Sequence, residues 1–291
     1  MARRRAFVQL ILRIIHTIDE MRASSRSVRA ESRTIGFVPT MGALHAGHIA
    51  LMEHARHECD HVVASIFVNP TQFDRLDDLE KYPRTLDADV EACSQAGVDV
   101  VFAPSANEMY PAGPRTNIRA SSVGSILEGA SRPGHFDGVA TVVALLFSAV
   151  EPDVAYFGRK DYQQTLVVRD VARDHAPDVR IDVRPTVRDA DGLALSSRNV
   201  RLSADDRVRA LAIPRGLDLA QRLFVDGTID ADSISSRVRE TLTDQGLEVD
   251  YVHVGRPSDL SAVATCEAGD VILIAARVGD VRLIDNAILD R

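Results

Sequence analysis

The chain has 291 residues, more than a single domain usually holds, so we expect one sizeable core and a smaller second domain. Apolar residues make up 45% of the chain and charged residues 26%, which excludes a largely disordered protein. The formal charge of -8 argues against a nucleic-acid partner, and three isolated cysteines (Cys59, Cys93 and Cys266) argue against a disulfide framework or a zinc site and favour a cytoplasmic location.

The N-terminal stretch superficially resembles a signal peptide, because three arginines at positions 3–5 precede an apolar run over residues 6–12. Arg13 interrupts that run and no small-residue cleavage site follows, so an amphipathic first helix is the favoured interpretation. No other stretch approaches the roughly 20 apolar residues that a membrane span requires, so we expect no membrane partner.

From residue 34 onward, apolar runs and amphipathic segments alternate. The pattern predicts strands over residues 34–39, 61–68, 98–102, 154–157 and 181–183, and helices over 48–59, 87–96, 139–150 and 161–175. The run over 61–68 is rich in β-branched residues, which is typical of a strand buried on both faces. This alternation predicts an α/β fold with a Rossmann-like, doubly wound parallel sheet, whose ligands bind beyond the carboxyl ends of the strands.

The pattern changes after residue 185. A turn-rich segment over residues 188–192 leads to a long helical stretch over 204–224 and a second helix after Asp230. Apolar runs over 249–254, 271–275 and 281–283 then predict three strands. We therefore predict a Rossmann-like domain over residues 1–185 and a smaller α+β domain over 186–291.

A strand-loop-helix turn over residues 39–48 ends in the motif His45-Ala46-Gly47-His48. Gly42 and Gly47 let the backbone approach a ligand closely, and the N-terminus of the following helix favours anions such as phosphates. His45 and His48 are three positions apart and can donate to the same phosphate group. A pair of helix-start histidines or half of a metal site is the alternative, but no third ligand stands at a recognisable spacing. The H-x-G-H pattern is that of nucleotidyltransferases and predicts a nucleotide site.

Two further motifs follow predicted strands. Asn69 and Gln72 offer amide donors and acceptors for hydroxyl and carboxylate groups, although Asn69 also suits an ordinary turn. Lys160, one of two lysines among 34 basic residues, supplies a point charge for phosphates, and Asp161 suits a helix cap or a ribose contact. Gln164 lies one turn further on. A solvated charged loop is the alternative interpretation of the residues around Lys160.

The segment over residues 195–198 stands at the predicted domain boundary. Ser196 and Ser197 with Arg198 combine two hydroxyls and a guanidinium, which suits a mobile phosphate clamp that closes over bound nucleotide. A plain capping loop before the next helix is the alternative.

Taken together and in this order, the motifs resemble the pantothenate synthetase (pantoate–β-alanine ligase) family, and the block over residues 132–139 adds to the likeness. The match is dense over residues 34–202 and loose beyond. The resemblance implies a Rossmann-type N-terminal domain of the H-x-G-H nucleotidyltransferase type, a smaller C-terminal domain covering the site, and a cytoplasmic homodimer. It also implies that pantoate is activated by Mg-ATP to pantoyl adenylate, which the amine of β-alanine converts to pantothenate and AMP.

The resemblance assigns roles residue by residue. His48 matches the position of a proton donor, and we expect it to act with His45, Lys160 and Arg198. Contacts to pantoate and β-alanine are expected from Asn69, Gln72, Arg132 and Gln164, and Asp89 is the expected neighbour of magnesium. The expected ATP contacts are Met41, Gly42, Ala43, Leu44, His45, Ala46, Gly47, His48, Gly158, Arg159, Lys160, Asp161, Val187, Leu195, Ser196, Ser197 and Arg198.

Three positions depart from the family pattern. Leu195 replaces a usual Met, which conserves volume. Arg159 adds positive charge where an acidic or amide residue is common, and Ala88 interrupts an acidic run beside Asp89. Two other functions stay open on the residues alone: another nucleotidyltransferase of the H-x-G-H type, which would lack the Gln72 and Gln164 pair, and a non-catalytic nucleotide-binding module.

Overall fold

A computed structural model describes residues 12–73, 76–111 and 117–291, with residues 76–78 described by their backbone alone. The described part of the chain forms one sheet of six strands and one of three. The larger sheet consists of β1 (Arg13–Ile15), β2 (Ile35–Thr40), β3 (His61–Ile66), β4 (Val100–Phe102), β5 (Val154–Gly158) and β6 (Arg180–Arg184). Its strands are all parallel and lie in the order β1-β4-β3-β2-β5-β6.

Helices cover both faces of this sheet, and the alternation of side chains along each strand explains why. In β2, Phe37 faces a core shared with α1 (Ile18–Ala30) and α7 (His135–Val150), whereas Val38 faces a second core shared with α2 (Ala46–Glu58) and α4 (Leu86–Gln95). Both side chains have no exposed surface. The helices of this half are α1 (Ile18–Ala30), α2 (Ala46–Glu58), α3 (Leu76–Lys81), α4 (Leu86–Gln95), α5 (Ala106–Met109), α6 (Glu128–Ser131), α7 (His135–Val150) and α8 (Tyr162–His175).

The C-terminal part packs helices against an antiparallel sheet. Its helices are α9 (Ala204–Ala210), α10 (Ala212–Val225) and α11 (Ala231–Thr243), and its strands are β7 (Glu248–Gly255), β8 (Val271–Val278) and β9 (Val281–Ile288), in the order β7-β8-β9. Ile272 and Ile274 of β8 pack in the local core, whereas Val271 and Leu273 join the core of the larger half. The small sheet is thus buried on both faces.

The structure confirms the predicted α/β fold with its parallel sheet and smaller α+β part. The division between residues 185 and 186 stays a prediction. None of the helices in the described ranges is both long and apolar enough to cross a bilayer.

One detail of the chain trace differs from expectation, and one prediction falls outside the described residues. The predicted helix over 204–224 is two helices that meet at Leu211, because Pro214 has no N–H and its ring would clash with the carbonyl of Ala210 in a continuous helix. The predicted N-terminal helix falls on residues 1–11, which lie outside the described residues, and Arg13–Ile15 just beyond it is a strand.

Candidate active site

A cavity of about 270 Å³ opens where the strand order reverses. From β2 the chain proceeds outward through β3 and β4, and it later returns to add β5 and β6 on the other side. Pro39 to Met41 at the end of β2 and Phe157 to Gly158 at the end of β5 line the cavity. Such a topological switch point is where doubly wound sheets bind ligands.

The loop after β2 is held by Asp89 of α4, a residue with only 3% of its surface exposed. Its carboxylate accepts hydrogen bonds from the backbone N–H of Ala43 (3.0 Å) and Leu44 (2.8 Å) and from the hydroxyl of Thr85 (3.1 Å). Gly42 has a φ of +82°, and a Cβ there would lie 2.9 Å from Oδ2 of Asp89. The loop therefore needs both a glycine and a buried carboxylate.

His45 caps the N-terminus of α2, and His48 is the third residue of that helix. Each ring accepts a hydrogen bond from a backbone N–H of this first turn. Nδ1 of His45 accepts from the N–H of Gly47 at 3.2 Å, and Nδ1 of His48 accepts from the N–H of His45 at 3.4 Å. Each ring is then neutral, with Nε2–H as its free donor. Burial lowers the pKa of His48 to about 3 and lowers that of His45 as well, and Lys160 or the neighbouring ring adds to the effect. Both side chains are therefore suited to donate hydrogen bonds to an anion near neutral pH.

Gln72 reaches the cavity from the 3-10 turn Pro70–Gln72, and Asn69 orients it. The Asn69 amide donates to Oε1 of Gln72 at 3.0 Å and to the carbonyl of Gly138 at 3.1 Å. Its oxygen accepts from Tyr110 and Thr71, so all its polar capacity is used within the protein. Asn69 is thus placed to position Gln72, whose amide nitrogen donates to Sδ of Met41 at 3.1 Å and has a second N–H.

Lys160 and Asp161 lie in the 3-10 turn Arg159–Asp161, between β5 and α8. Nζ of Lys160 is 3.7 Å from Oδ1 of Asp161. Desolvation would raise the pKa of Asp161, whose side chain is 49% exposed, but the charges of Lys160 and Arg198 outweigh it and hold the pKa of the carboxyl below its usual range. Gln164, one turn into α8, makes no side-chain hydrogen bond with the described residues and faces the same cavity.

Both ends of the segment over residues 185–198 line the cavity. Arg188 and Ala194 pair across a tight turn, and the N–H of Leu195 donates to the carbonyl of Val187 at 3.0 Å. Ser196 then caps a 3-10 turn by accepting from the N–H of Arg198 at 3.2 Å. This turn brings the two hydroxyls and the guanidinium to the cavity.

Most of the predicted site residues meet in this one cavity. Those that line it are Met41, His45, Gly47, His48, Asn69, Gln72, Arg132, Gly158, Lys160, Asp161, Gln164, Val187, Leu195, Ser196, Ser197 and Arg198. Those that do not line it are Gly42, Ala43, Leu44, Ala46, Asp89 and Arg159. Gly42, Ala43 and Leu44 lie in the loop after β2, Ala46 begins α2, and Asp89 binds that loop. These five residues therefore shape the cavity without lining it.

Sequence reasoning missed His135, which is 9% exposed and begins α7. Its Nδ1–H donates to the carbonyl of Gln72 at 2.8 Å, and its Nε2 accepts from Arg132 at 3.4 Å. Burial, with the charge of Arg132, lowers its pKa to about 4. Its place in the family-like block over residues 132–139 was the available signal.

Tyr82 was also missed, together with the apolar floor of the cavity. Tyr82 hydrogen-bonds Ser197, and burial raises the pKa of its hydroxyl. Val139, Val142, Val143 and Leu146 of α7 supply the apolar surface. Their helical spacing predicted a buried helix, but nothing in it distinguished core-facing from cavity-facing positions.

A second, larger cavity of about 880 Å³ adjoins the first, between α6 and the small sheet. The cavities share the lining residues Arg132, His135, Lys160, Asp161, Gln164 and Arg198. Opposite them lie Glu128 of the larger half and Tyr251 and Arg282 of the C-terminal sheet. The site therefore opens between the two sheets.

One group of possible metal ligands lies elsewhere among the described residues. Ligand atoms of His54, Glu58 and Asp182 lie within 4.8 Å of one another. Arg180 already pairs with both carboxylates, and the hydroxyl of Tyr156 donates to Glu58 at 2.7 Å. This group is therefore accounted for as an ion-pair network.

A family model, curated sequences and solved structures all indicate the same family for this chain. A family model described as pantoate-beta-alanine ligase matches residues 13–288. A pantothenate synthetase from Aquifex aeolicus is 48% identical over 271 residues, covering 92% of this chain and 96% of that protein. One from Rhizobium etli is 46% identical over 279 residues, covering 96% and 94%.

Solved structures agree in fold over nearly the whole chain. Pantothenate synthetase from Thermus thermophilus superposes with a TM-score of 0.89 at 43% identity, covering 96% of this chain and all of that one. Pantoate-beta-alanine ligase from Francisella tularensis, crystallised with beta-gamma ATP and beta-alanine, gives a TM-score of 0.80 at 36% identity, covering 96% and 98%. The chain belongs to the pantoate-beta-alanine ligase family, which confirms the resemblance of its motifs.

Proposed function

We propose that this chain condenses pantoate with β-alanine at the expense of ATP, giving pantothenate, AMP and pyrophosphate. The observation that carries the proposal is the switch-point cavity, where the two neutral histidines, Lys160 and the amides of Gln72 and Gln164 converge in a chain that matches the ligase family from residue 13 to 288. The relative from Francisella tularensis was crystallised with beta-gamma ATP and beta-alanine.

The first step joins pantoate to AMP. The pantoate carboxylate attacks the α-phosphorus of ATP, and the bond to the β-phosphate oxygen breaks, so pyrophosphate leaves. In-line displacement at phosphorus depends on positioning and charge neutralisation. His45 and His48 donate hydrogen bonds through the Nε2–H of neutral rings, and Lys160 and Arg198, which line the same cavity, supply positive charge. Gln72 and Gln164 are placed to hold pantoate.

The second step forms the amide. The amine of β-alanine attacks the acyl carbon of pantoyl adenylate, AMP departs with the electrons of the carbon–oxygen bond, and the amine gives up a proton. Because His48 is a neutral donor near pH 7, we assign it hydrogen bonding to the phosphate rather than general-acid proton transfer. Arg132 and His135, beside Gln72, line both cavities and suit the second substrate.

Magnesium is proposed to enter with the phosphates of ATP, which is how this ion usually binds. Asp161 is the carboxylate that lines the cavity and fits beside such a complex. Asp89 fits poorly as a direct ligand, because both of its oxygens accept hydrogen bonds that hold the loop. When bound, the ion would neutralise phosphate charge.

We also propose a cytoplasmic homodimer, as the family resemblance implies. The three cysteines are buried and unpaired, which suits a reducing compartment. Sedimentation equilibrium of the purified chain tests the dimer.

The function is tested by incubating the protein with ATP, magnesium, pantoate and β-alanine. We expect AMP and pantothenate in equal amounts, and no AMP when pantoate is omitted. Pyrophosphate release without pantoate would favour another nucleotidyltransferase. ATP binding without turnover would favour a nucleotide-binding module, and either result would contradict the proposal.

A further inference from the structure

Asn286 of β9 crosses from the C-terminal sheet to the backbone around Lys160. Its Nδ2 donates to the carbonyl of Arg159 at 2.9 Å and to that of Lys160 at 2.8 Å. The residue is 4% exposed, and it lies 126 positions from Lys160 along the chain. One amide group therefore ties two successive peptide units to the other half of the molecule.

The contacts fix the orientation of the amide. A flipped Asn286 would place its oxygen against two carbonyl oxygens, so only the orientation with Nδ2 toward them is favourable. Oδ1 is then buried without a hydrogen-bond partner among the described residues. An unsatisfied buried acceptor costs stability, so the unpaired Oδ1 partly offsets the stabilisation from the two hydrogen bonds that Nδ2 donates.

The turn that Asn286 holds has little support of its own. It is a three-residue 3-10 turn, Arg159–Asp161, and no side chain caps its start at Gly158. Lys160 within it carries a flexible side chain, 15% exposed, into the cavity. The anchor from β9 fixes the backbone from which that side chain extends.

The preceding residue of β9 holds a second segment that lines the cavity. Asp285, 3% exposed, accepts both arms of Arg188 at 2.6 and 3.1 Å. Arg188 pairs with Ala194 in the turn that leads to Ser196 and Arg198. Two adjacent residues of one strand thus support two cationic segments that line the same cavity.

We propose that Asn286 is a positioning residue that fixes the Lys160 backbone for the adenylation step. The proposal rests on the function given above, in which Lys160 neutralises phosphate charge during attack by pantoate. A displacement of about 1 Å in a positioning group can cost on the order of 100-fold in rate. Formation of pantoyl adenylate depends on Lys160, whereas reaction of the finished adenylate with β-alanine does not need its charge on the pyrophosphate.

The test compares the parent with Asn286→Ala and Asn286→Leu in pantoate-dependent exchange of pyrophosphate into ATP. Asn286→Leu keeps the branched shape of the side chain without a donor or a charge, so it serves if the alanine variant unfolds. We expect kcat for exchange to fall about 10- to 100-fold in both, while kcat/KM for β-alanine in the full reaction stays within about twofold, because that ratio reports the second step alone. Thermal unfolding reports that each variant is folded at the assay temperature.

Gln221→Ala is the matched control. The Gln221 amide also donates to a backbone carbonyl, that of Asp290 just after β9. Gln221 lines neither of the two cavities. We expect its exchange rate to match the parent. A folded Asn286 variant that exchanges pyrophosphate within threefold of the parent overturns the proposal.

A double-mutant cycle with Lys160→Ala separates positioning from a general loss of structure. If Asn286 acts through Lys160, then Asn286→Ala should lower the residual exchange of Lys160→Ala by less than about twofold. An equal fold-loss in both backgrounds contradicts the inference. A parent that shows no pantoate-dependent exchange contradicts the proposed function instead, so the two failures are distinguishable.

Discussion

At the scale of single residues, the carboxylate of Asp89 is occupied by hydrogen bonds that hold the loop after β2. It accepts from Ala43, Leu44 and Thr85, and the loop it holds contains positive φ angles at Gly42 and Ala43. Such a backbone persists only where its surroundings impose it. We therefore propose that Asp89 acts on ATP through the loop, whereas the family resemblance suggested a place beside magnesium.

The Asp89→Asn variant separates these two roles. Its NH₂ group would face a backbone N–H in place of an acceptor, so we expect the loop to loosen and the KM for ATP to rise about tenfold or more, equivalent to roughly 1.4 kcal/mol. Steady-state kinetics at several magnesium concentrations measure the effect. The rise should persist at high magnesium.

Asp87→Asn, an exposed position on the same helix, is the control and should keep the parent KM. Recovery of the Asp89→Asn variant by added magnesium would show that Asp89 is a metal ligand after all.

At the scale of elements, α6 and the small sheet are joined by one buried ion pair. Arg282 of β9 donates both arms to Glu128 at 2.6 and 2.7 Å, and Tyr251 of β7 donates to the same carboxylate at 2.8 Å. The side chains of Arg282 and Glu128 are 16% and 10% exposed. The pair lies beside the larger cavity and fixes how the small sheet faces it.

Removing one partner of this pair should destabilise the protein strongly. Arg282→Met leaves the carboxylate of Glu128 buried without its counter-charge, for which we expect a loss of about 3–5 kcal/mol in the free energy of unfolding. Urea titration measures it. Adding Glu128→Gln should recover part of the loss, because the uncompensated charge is then removed.

Arg180→Met provides a comparison, since its ion pairs lie on the surface, where such pairs contribute about 1 kcal/mol or less. A loss below about 1 kcal/mol for Arg282→Met would show that the bridge is not important for stability.

Local patterns explain how much of this architecture could be predicted. The strands β2, β3 and β5 appear as short apolar runs because each is buried on both faces, and α2, α4, α7 and α8 follow from helical spacing. The three-residue strand β1 is too short to give a period and was not predicted. The signal of Pro214, which ends the long helix, was present in the sequence but was outweighed by the helical pattern around it.

In the candidate site, too, the residues that belong to a local pattern could be predicted and those that depend on distant contacts could not. The H-x-G-H turn and the segment around Lys160 could be placed at strand ends, because the carboxyl ends of parallel strands share one edge. The contacts of Asn286 and Arg282 could not, because they join segments more than 120 positions apart and no local pattern encodes such pairings. Asn69 was expected at the substrate, yet its hydrogen bonds are all internal.

At the scale of the whole molecule, buried neutral histidines couple stability to pH. The pKa of His48 is lowered to about 3 and that of His135 to about 4, chiefly by burial. In the unfolded chain a histidine has a pKa of about 6.5. Between these values the unfolded state binds protons that the folded state does not, so the free energy of unfolding falls as pH falls below about 6.5.

From pH 7 to pH 5 each of the two histidines should therefore cost at most about 2 kcal/mol of stability. Carboxyl groups with lowered pKa values, such as Asp161, lose their contribution only at lower pH, so this window isolates the histidines. Urea titrations at pH 7, 6 and 5 measure the dependence. His135→Gln keeps a donor for Gln72 and an acceptor for Arg132 but cannot titrate, so its stability should fall less steeply than that of the parent, by a difference of at most about 2 kcal/mol between pH 7 and pH 5.

Above pH 7.5 both states hold neutral imidazoles, and the difference in stability between parent and His135→Gln should then be constant. Equal slopes for the two proteins between pH 7 and 5 would mean that His135 gains its proton in the folded state as readily as in the unfolded one. Its Nε2 would then have to turn from accepting to donating beside Arg132, which is 3.4 Å away, and the like charges make that arrangement unfavourable.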